Sequence, residues 1–241
     1  MSDFDGTLAP IVVDPGAAWP LAGVVPVLSR LAGALGLVGV VSGRPVGFLR
    51  DRLAGAADSL VLVGLYGLEW SERGELRADA EAQRWRPAVA EEAAAAARRA
   101  PPGVTVEDKG LTFTLHARSS PQRLAWVEDY AAAAARRSGL AAHPGRLSVE
   151  LRPPVEIDKG TVAERLSAGR TAAGYLGDDR GDLPAFDALA RRRGEGVATL
   201  SVAAASAEAP PELLAAADLV VDGPPGILAL LAALSARTAP P

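Results

Sequence analysis

Met1-Ser2-Asp3-Phe4-Asp5-Gly6-Thr7-Leu8-Ala9-Pro10 opens the chain, and its reading decides the fold. Two carboxylates stand two residues apart, and a Gly-Thr turn follows at once. Side chains two apart on a strand share a face, so Asp3 and Asp5 are expected to project together where a strand ends. In open α/β sheets ligands collect beyond the carboxyl ends of the strands. Two carboxylates held that close repel unless a cation or a shared proton relieves them. A hard divalent cation does so, and Mg²⁺ commonly takes one or two carboxylates, several waters and a substrate phosphate. Gly6 lets the chain turn and bares backbone N–H groups, and Thr7 adds a hydroxyl; both are donors for phosphate oxygens. The plain alternative is a turn, since Asp before Gly is common there.

Working outward, strands alternate with helices. Residues 21–34 have helical spacing, 37–41 (LVGVV) form a short buried run, 46–53 read as a helix and 59–63 (SLVLV) as a second buried strand. The pattern returns near the other end, with helices over 159–166, 182–190 and 227–234 and strands over 173–176, 197–202 and 219–221. This predicts an α/β, Rossmann-like core with a mostly parallel sheet. The middle differs. An alanine-rich helix spans 84–100, two strands over 104–108 and 111–118 flank the turn Lys109-Gly110, a helix covers 121–137, and 147–151 is a further strand. Thr112, Thr114 and His116 alternate with Phe113 and Leu115, the period of a sheet with unlike faces. The expected organisation is a core of residues 1–74 and 153–241 with a smaller α+β domain of residues 75–152 inserted into it. The tail 238–241 is expected to be unstructured.

Three more segments carry chemistry. Ser42-Gly43-Arg44 ends an apolar strand with a hydroxyl and a glycine, and Ser42 can hold a phosphate oxygen. Lys159 stands at the start of a helix, where the dipole disfavours a cation and a nearby anion would reconcile it. Asp178, Asp179 and Asp182 follow a short strand within five residues. Such a loop is usually solvated, but at the end of a core strand it reads as a metal site.

In this order Asp-Phe-Asp-Gly-Thr, Ser-Gly-Arg, Lys-Gly and Gly-Asp-Asp-x-x-Asp resemble the haloacid dehalogenase superfamily of phosphohydrolases, and the inserted domain is similar to its C2-type cap. More narrowly, Asp5 to Ile11, Gly67-Leu68-Glu69, Glu107 to Gly110 with His116 and Arg118, and Glu150 to Pro154 leading to Asp158-Lys159-Gly160 resemble the trehalose-6-phosphate phosphatase family. The resemblance implies Asp3 as nucleophile and Asp5 as general acid and then base. It implies Thr7, Ser42, Gly43 and Lys159 as phosphate holders. Mg²⁺ would lie on the Asp3 carboxylate, the Asp5 carbonyl and Asp178, with Asp182 acting through water or by fixing Lys159 and Asp179 in either role. It implies Glu69, Lys109, His116, Arg118, Glu150 and Arg152 as sugar contacts. Lys109 and Glu150 equally suit an ion pair between facing strands, and His116 a structural place on the sheet.

The 241 residues carry a net charge of −4, are 49% hydrophobic, and include no cysteine and 2 histidines. The acidic balance argues against a nucleic-acid partner. The lack of cysteine excludes disulfide and thiolate sites. Apolar runs are short and broken, so no membrane span is expected. The expected setting is a cytoplasmic monomer acting on a small sugar phosphate. Two alternatives stand beside it. One is a phosphatase for another sugar phosphate. The other is a sugar-phosphate binder with impaired turnover, since only Met1 and Ser2 precede Asp3 where relatives carry an apolar strand.

Overall fold

The computed structural model describes residues 1–12, 14–207 and 209–238. Two compact units divide the chain, Met1–Arg77 with Ile157–Pro241 and Ala78–Glu156. The insertion thus runs a few residues later than the expected 75–152.

The first unit begins with α1 (Val24–Ala34), β1 (Gly39–Val41), α2 (Val46–Arg52), β2 (Val61–Gly64), β3 (Glu69–Glu72) and β4 (Glu75–Ala78). The inserted unit holds α3 (Ala80–Arg84), α4 (Arg86–Arg99), β5 (Thr105–Asp108), β6 (Phe113–His116), α5 (Leu124–Ser138), β7 (Ala141–Gly145) and β8 (Ser148–Arg152). The chain returns through α6 (Lys159–Ser167), β9 (Ala172–Gly177), α7 (Leu183–Gly194), β10 (Ala198–Ala205), α8 (Pro211–Ala216), β11 (Leu219–Asp222) and α9 (Gly223–Thr238). Thr238 therefore closes a helix, and residues 239–241 of the expected tail lie outside the described residues.

In the first unit β1 pairs with β2, and β9 with β10 and β10 with β11, all parallel; β3 adds antiparallel to β2. Ser2 joins the two halves. It bridges Val40 on one side and Leu176 on the other, both parallel. Four backbone bonds hold this short central segment: Ser2 N–H to Gly39 O (3.0 Å), Val41 N–H to Ser2 O (2.9 Å), Asp3 N–H to Leu176 O (2.8 Å) and Leu176 N–H to Met1 O (3.1 Å). Across the sheet the order is β11-β10-β9-Ser2-β1-β2-β3-β4.

Alternate strand residues face opposite ways, so each strand feeds two cores. Val40, Leu62, Leu176, Val202 and Ala204 pack with α1, α2 and α9 through Leu28, Leu31, Leu49 and Ile227. Val41, Val63, Tyr175 and Ala203 pack with α6, α7 and α8 through Val162, Phe186, Leu189 and Leu213. Two helical layers therefore sandwich the sheet, and its strand ends are left for chemistry.

The inserted unit is an antiparallel sheet of order β5-β6-β8-β7. Phe113, Leu115, Val149 and Leu151 pack on α4 (Val89, Ala93, Ala96) and α5 (Val127, Ala131, Ala134). The i, i+4, i+7 spacing puts each trio on one helix face, and the alanines let backbone approach backbone. The helix expected over 84–100 is α4, and a short α3 precedes it, the two meeting at Trp85. Asp79 caps α3 through the Ala82 N–H (2.8 Å), and Pro87 sits in the first turn of α4, where a missing N–H costs nothing. The β3–β4 hairpin, β7 and α8 also go beyond the elements expected from the sequence.

Candidate active site

Four of the sequence-predicted segments converge in the first unit. Ser2 ends the central segment, so Asp3 emerges at the carboxyl edge of the sheet and is 5% exposed. Lys159, 2% exposed, opens α6 beneath it, where Asp158 caps the helix through the Thr161 N–H (2.8 Å). Its Nζ lies 3.0 Å from Asp3 Oδ1 and donates to Asp182 Oδ1 at 2.7 Å. The anions that the helix dipole called for are these two carboxylates. Burial alone would lower the Lys159 pKa, but Asp182 and Asp3 outweigh it and hold the ammonium well above its ordinary range.

Asp182 is fully buried and saturated. Its Oδ1 also accepts from Tyr175 OH (3.0 Å), and its Oδ2 accepts the N–H groups of Asp178 (3.0 Å) and Asp179 (3.2 Å). Burial and Asp182 keep the Tyr175 hydroxyl protonated well above its usual range, so it remains a donor. Gly177 ends β9 against this carboxyl; a Cβ there would run into Asp182. Asp178 Oδ1 accepts from Thr7 Oγ1 at 2.9 Å. Gly6, at φ +78°, turns the chain so closely past Asp178 that a side chain would overlap its carboxylate.

Asp3, Asp178 and Asp182 each bring an oxygen within 4.8 Å of the others. Three carboxylates face one ammonium, which leaves the cluster two positive charges short. Burial first, then the neighbouring carboxylates, raise Asp178 from 3.8 to about 7, while burial raises Asp3 well above its usual range despite Lys159. All-oxygen donors with that deficit fit a hard divalent cation. Since Asp182 spends both oxygens on the protein, Asp3 and Asp178 are the carboxylates with capacity to ligate. Asp179 is exposed and accepts from the Gly181 N–H (2.8 Å).

Asp5 goes elsewhere. The strand stops at Asp3, and the chain winds into a loop in which the Leu8 and Ala9 N–H groups both donate to Phe4 O. Strand alternation therefore does not extend to Asp5, and it is paired instead by Arg44, whose Nε and Nη2 reach Asp5 Oδ2 and Oδ1 at 2.7 and 2.8 Å. The expectation that one cation relieves both Asp3 and Asp5 side chains gives way to two separate partners. Ser42 is buried at the end of β1, its Oγ accepting from the Arg44 N–H (3.2 Å). Gly43 lies under the Tyr66 ring; a Cβ would come 2.6 Å from it. Glu69 accepts from the Val46 N–H (2.9 Å) at the start of α2, a helix-capping place.

The other sugar candidates form a cluster of their own in the inserted unit. Glu150, nearly buried on β8, accepts from Lys109 (3.1 Å) and Thr112 (2.8 Å) on Oε1 and from Arg152 Nη2 (2.7 Å) on Oε2. Burial would raise Glu150, but Lys109, Arg152 and Thr112 together carry it below its ordinary value. His116 Nε2 and Glu107 Oε2 are 2.9 Å apart, and Arg118 is exposed just beyond β6. The Thr114 hydroxyl is buried on the same polar face. Arg44 and Tyr175 are the site residues that sequence reasoning passed over. Arg44 carried a signal in following Ser42-Gly43, while Tyr175 read as strand core.

A profile of the family described as trehalose-phosphatase matches residues 1–213. The trehalose-phosphate phosphatase of Mycobacterium marinum is 37% identical over 198 residues, covering 78% of this chain and 50% of that protein. That of Mycobacterium tuberculosis is 34% identical over 198 residues with the same coverage. The chain spans about half the length of the curated relatives it matches. In fold it is similar to the C-terminal domain of the Candida albicans trehalose-6-phosphate phosphatase, with a TM-score of 0.76 at 22% identity, covering 98% of this chain and 90% of that one. The Aspergillus fumigatus trehalose-6-phosphate phosphatase gives 0.61 at 27% identity, covering 98% and 91%.

Proposed function

Because this chain belongs to the trehalose-phosphatase family, we propose that it hydrolyses trehalose 6-phosphate to trehalose and phosphate with the help of Mg²⁺. The observation that carries this reading is the buried Asp3–Lys159–Asp178–Asp182 cluster at the strand ends. Asp3 attacks phosphorus, and the bond from phosphorus to the sugar oxygen breaks. Asp5 gives that oxygen its proton. Asp5 then takes a proton from a water, whose oxygen attacks phosphorus and releases the Asp3 carboxylate. Lys159, Thr7, Ser42 and the Gly43 N–H hold the phosphoryl oxygens and offset their charge. Asp182 acts through Lys159, fixing its ammonium between itself and Asp3. Asp3, Asp178 and the Asp5 carbonyl would hold Mg²⁺, which when bound supplies the missing positive charge beside Asp3 and the phosphoryl group.

Sugar hydroxyls are assigned to the polar face of the inserted unit, where Glu150, Lys109, Arg152, His116 and Arg118 offer charged, directional hydrogen bonds. Glu69 keeps its capping bond to α2 and is the least available of the candidates. The reading places the reaction in the cytoplasm and the chain as a monomer. No described helix is long and apolar enough to cross a membrane.

The test is phosphate release with Mg²⁺ from trehalose 6-phosphate beside glucose 6-phosphate, sucrose 6-phosphate and a mannosyl phosphate compound. Selective release from the first is expected. Release from another member alone would move the substrate. Asp3→Asn should abolish turnover while the protein stays folded by circular dichroism, and residual turnover in that variant would sink the nucleophile assignment.

A further inference from the structure

Asp5 and Arg44 form a fork-to-fork pair, with both carboxylate oxygens engaged at 2.7 and 2.8 Å. The pair is also held from its far side. The Arg44 guanidinium stacks on the Phe48 ring, 4.6 Å from its centroid, and Phe48 meets Phe4 edge-on at 5.8 Å. Phe4 is the residue between the two aspartates. Arg52 lies on Phe48 as well, 4.6 Å from the same centroid. The Arg44 backbone is tied on both sides, its N–H to Ser42 Oγ and its carbonyl to the Leu65 N–H (3.0 Å). The pair is part-buried, with the Arg44 side chain 13% and that of Asp5 26% exposed. What such a fork supplies is orientation. A carboxylate has about four lone-pair sites and the guanidinium takes two, so one site on each oxygen stays open in a fixed direction.

We propose that Arg44 is a positioning residue, which holds Asp5 in the one orientation where a proton can pass between it and the leaving oxygen. The proposal rests on the reading of Asp5 as proton carrier. Arg44 touches neither phosphorus nor metal ligand side chains in this role; it acts through Asp5.

The leaving group separates this role from a structural one. A sugar alkoxide needs a proton to depart, whereas p-nitrophenolate does not. In Arg44→Ala, kcat/KM with trehalose 6-phosphate should fall about 30-fold or more, a fraction of what general acid catalysis supplies, and with p-nitrophenyl phosphate less than about threefold. Guanidinium ion at low millimolar concentration should restore part of the sugar phosphate rate. Arg44→Lys keeps the charge without the fork and should show the same selective loss, which covers the case in which Arg44→Ala fails to fold. Equal losses on the two substrates, or no loss, would overturn the proposal. If the wild-type protein hydrolyses p-nitrophenyl phosphate but no sugar phosphate, the substrate reading fails instead. Arg44 is then judged on phenyl phosphate against p-nitrophenyl phosphate, and a selective loss on phenyl phosphate would uphold it.

Discussion

Replacing Asp182 by Asn is the sharpest probe of the core cluster. The change keeps shape and removes one acceptor and one charge. Asp182 accepts four hydrogen bonds, two on each oxygen. An asparagine has one oxygen. If that oxygen faces the Asp178 and Asp179 N–H groups, its amide N–H₂ points at the Lys159 ammonium, donor against donor, and the Tyr175 hydroxyl can only turn to accept and so loses its own acceptor. If it faces Lys159, the two backbone N–H groups are stranded. Either way two donors lose their acceptor at a site with no exposure. A stranded buried donor costs about 1–3 kcal/mol, and breaking a buried ion pair about 3–5 kcal/mol. Relief of repulsion among the three carboxylates offsets part of this, so the net loss should be about 3 kcal/mol. For a unit of this size that is a fall in melting temperature of about 10 °C. Thermal unfolding of Asp182→Asn and of Asp179→Asn as an exposed control measures it. A drop under about 2 °C for Asp182→Asn, or equal drops for the two, would refute the reasoning.

Two further outcomes follow from the electrostatics. Asp178 is raised from 3.8 to about 7, so the folded chain binds this proton more tightly than the unfolded chain does. Through Asp178 alone, metal-free stability should therefore fall as pH rises from about 4 to about 7, by at most about 4 kcal/mol, and Asp3, raised as well, adds to the fall. Mg²⁺ should raise the melting temperature more at pH 8 than at pH 5, where protons already relieve the site; an equal rise at both would count against the metal assignment. Glu150 is shifted the other way, so its contribution is complete above about 4.5, its unfolded value, and is lost as pH falls through its lower folded value. Acid should thus weaken the inserted unit below about pH 4.5, and Glu150→Gln should flatten that limb of a near-ultraviolet circular dichroism titration. An unchanged limb in the variant would place the acid sensitivity elsewhere.

The alternation of strands and helices was readable because buried parallel strands such as LVGVV and SLVLV are apolar on both faces. The convergence of Asp3, Lys159 and Asp178 was readable because each follows a strand or opens a helix at the same sheet edge. Edge and polar strands were not. Glu69–Glu72 and Glu75–Ala78 carry no alternation, and Ala141–Gly145 contains a Pro-Gly pair that reads as a turn. The short helix Ala80–Arg84 was not legible because five residues are too few to show a helical period. The separation of Asp5 from Asp3 was not legible either. Strand spacing predicts a shared face, but that rule stops with the strand, and the Phe4–Ala9 loop sets Asp5 by its own hydrogen bonds. The partner that receives it, Arg44, is 39 residues away in sequence.

The segment at the middle of the sheet ties the proposed chemistry to local opening. Ser2 bridges both β1 and β9, and the next residue, Asp3, is the proposed nucleophile. A fluctuation that frees this segment from both neighbours must break the bonds made by the Ser2, Asp3, Val41 and Leu176 amides together. Those four protons should then exchange with solvent at one common rate, distinct from that of the β10 amides. Inactivation on gentle warming would run ahead of loss of helix, because Asp3 leaves its place before either layer of helices does.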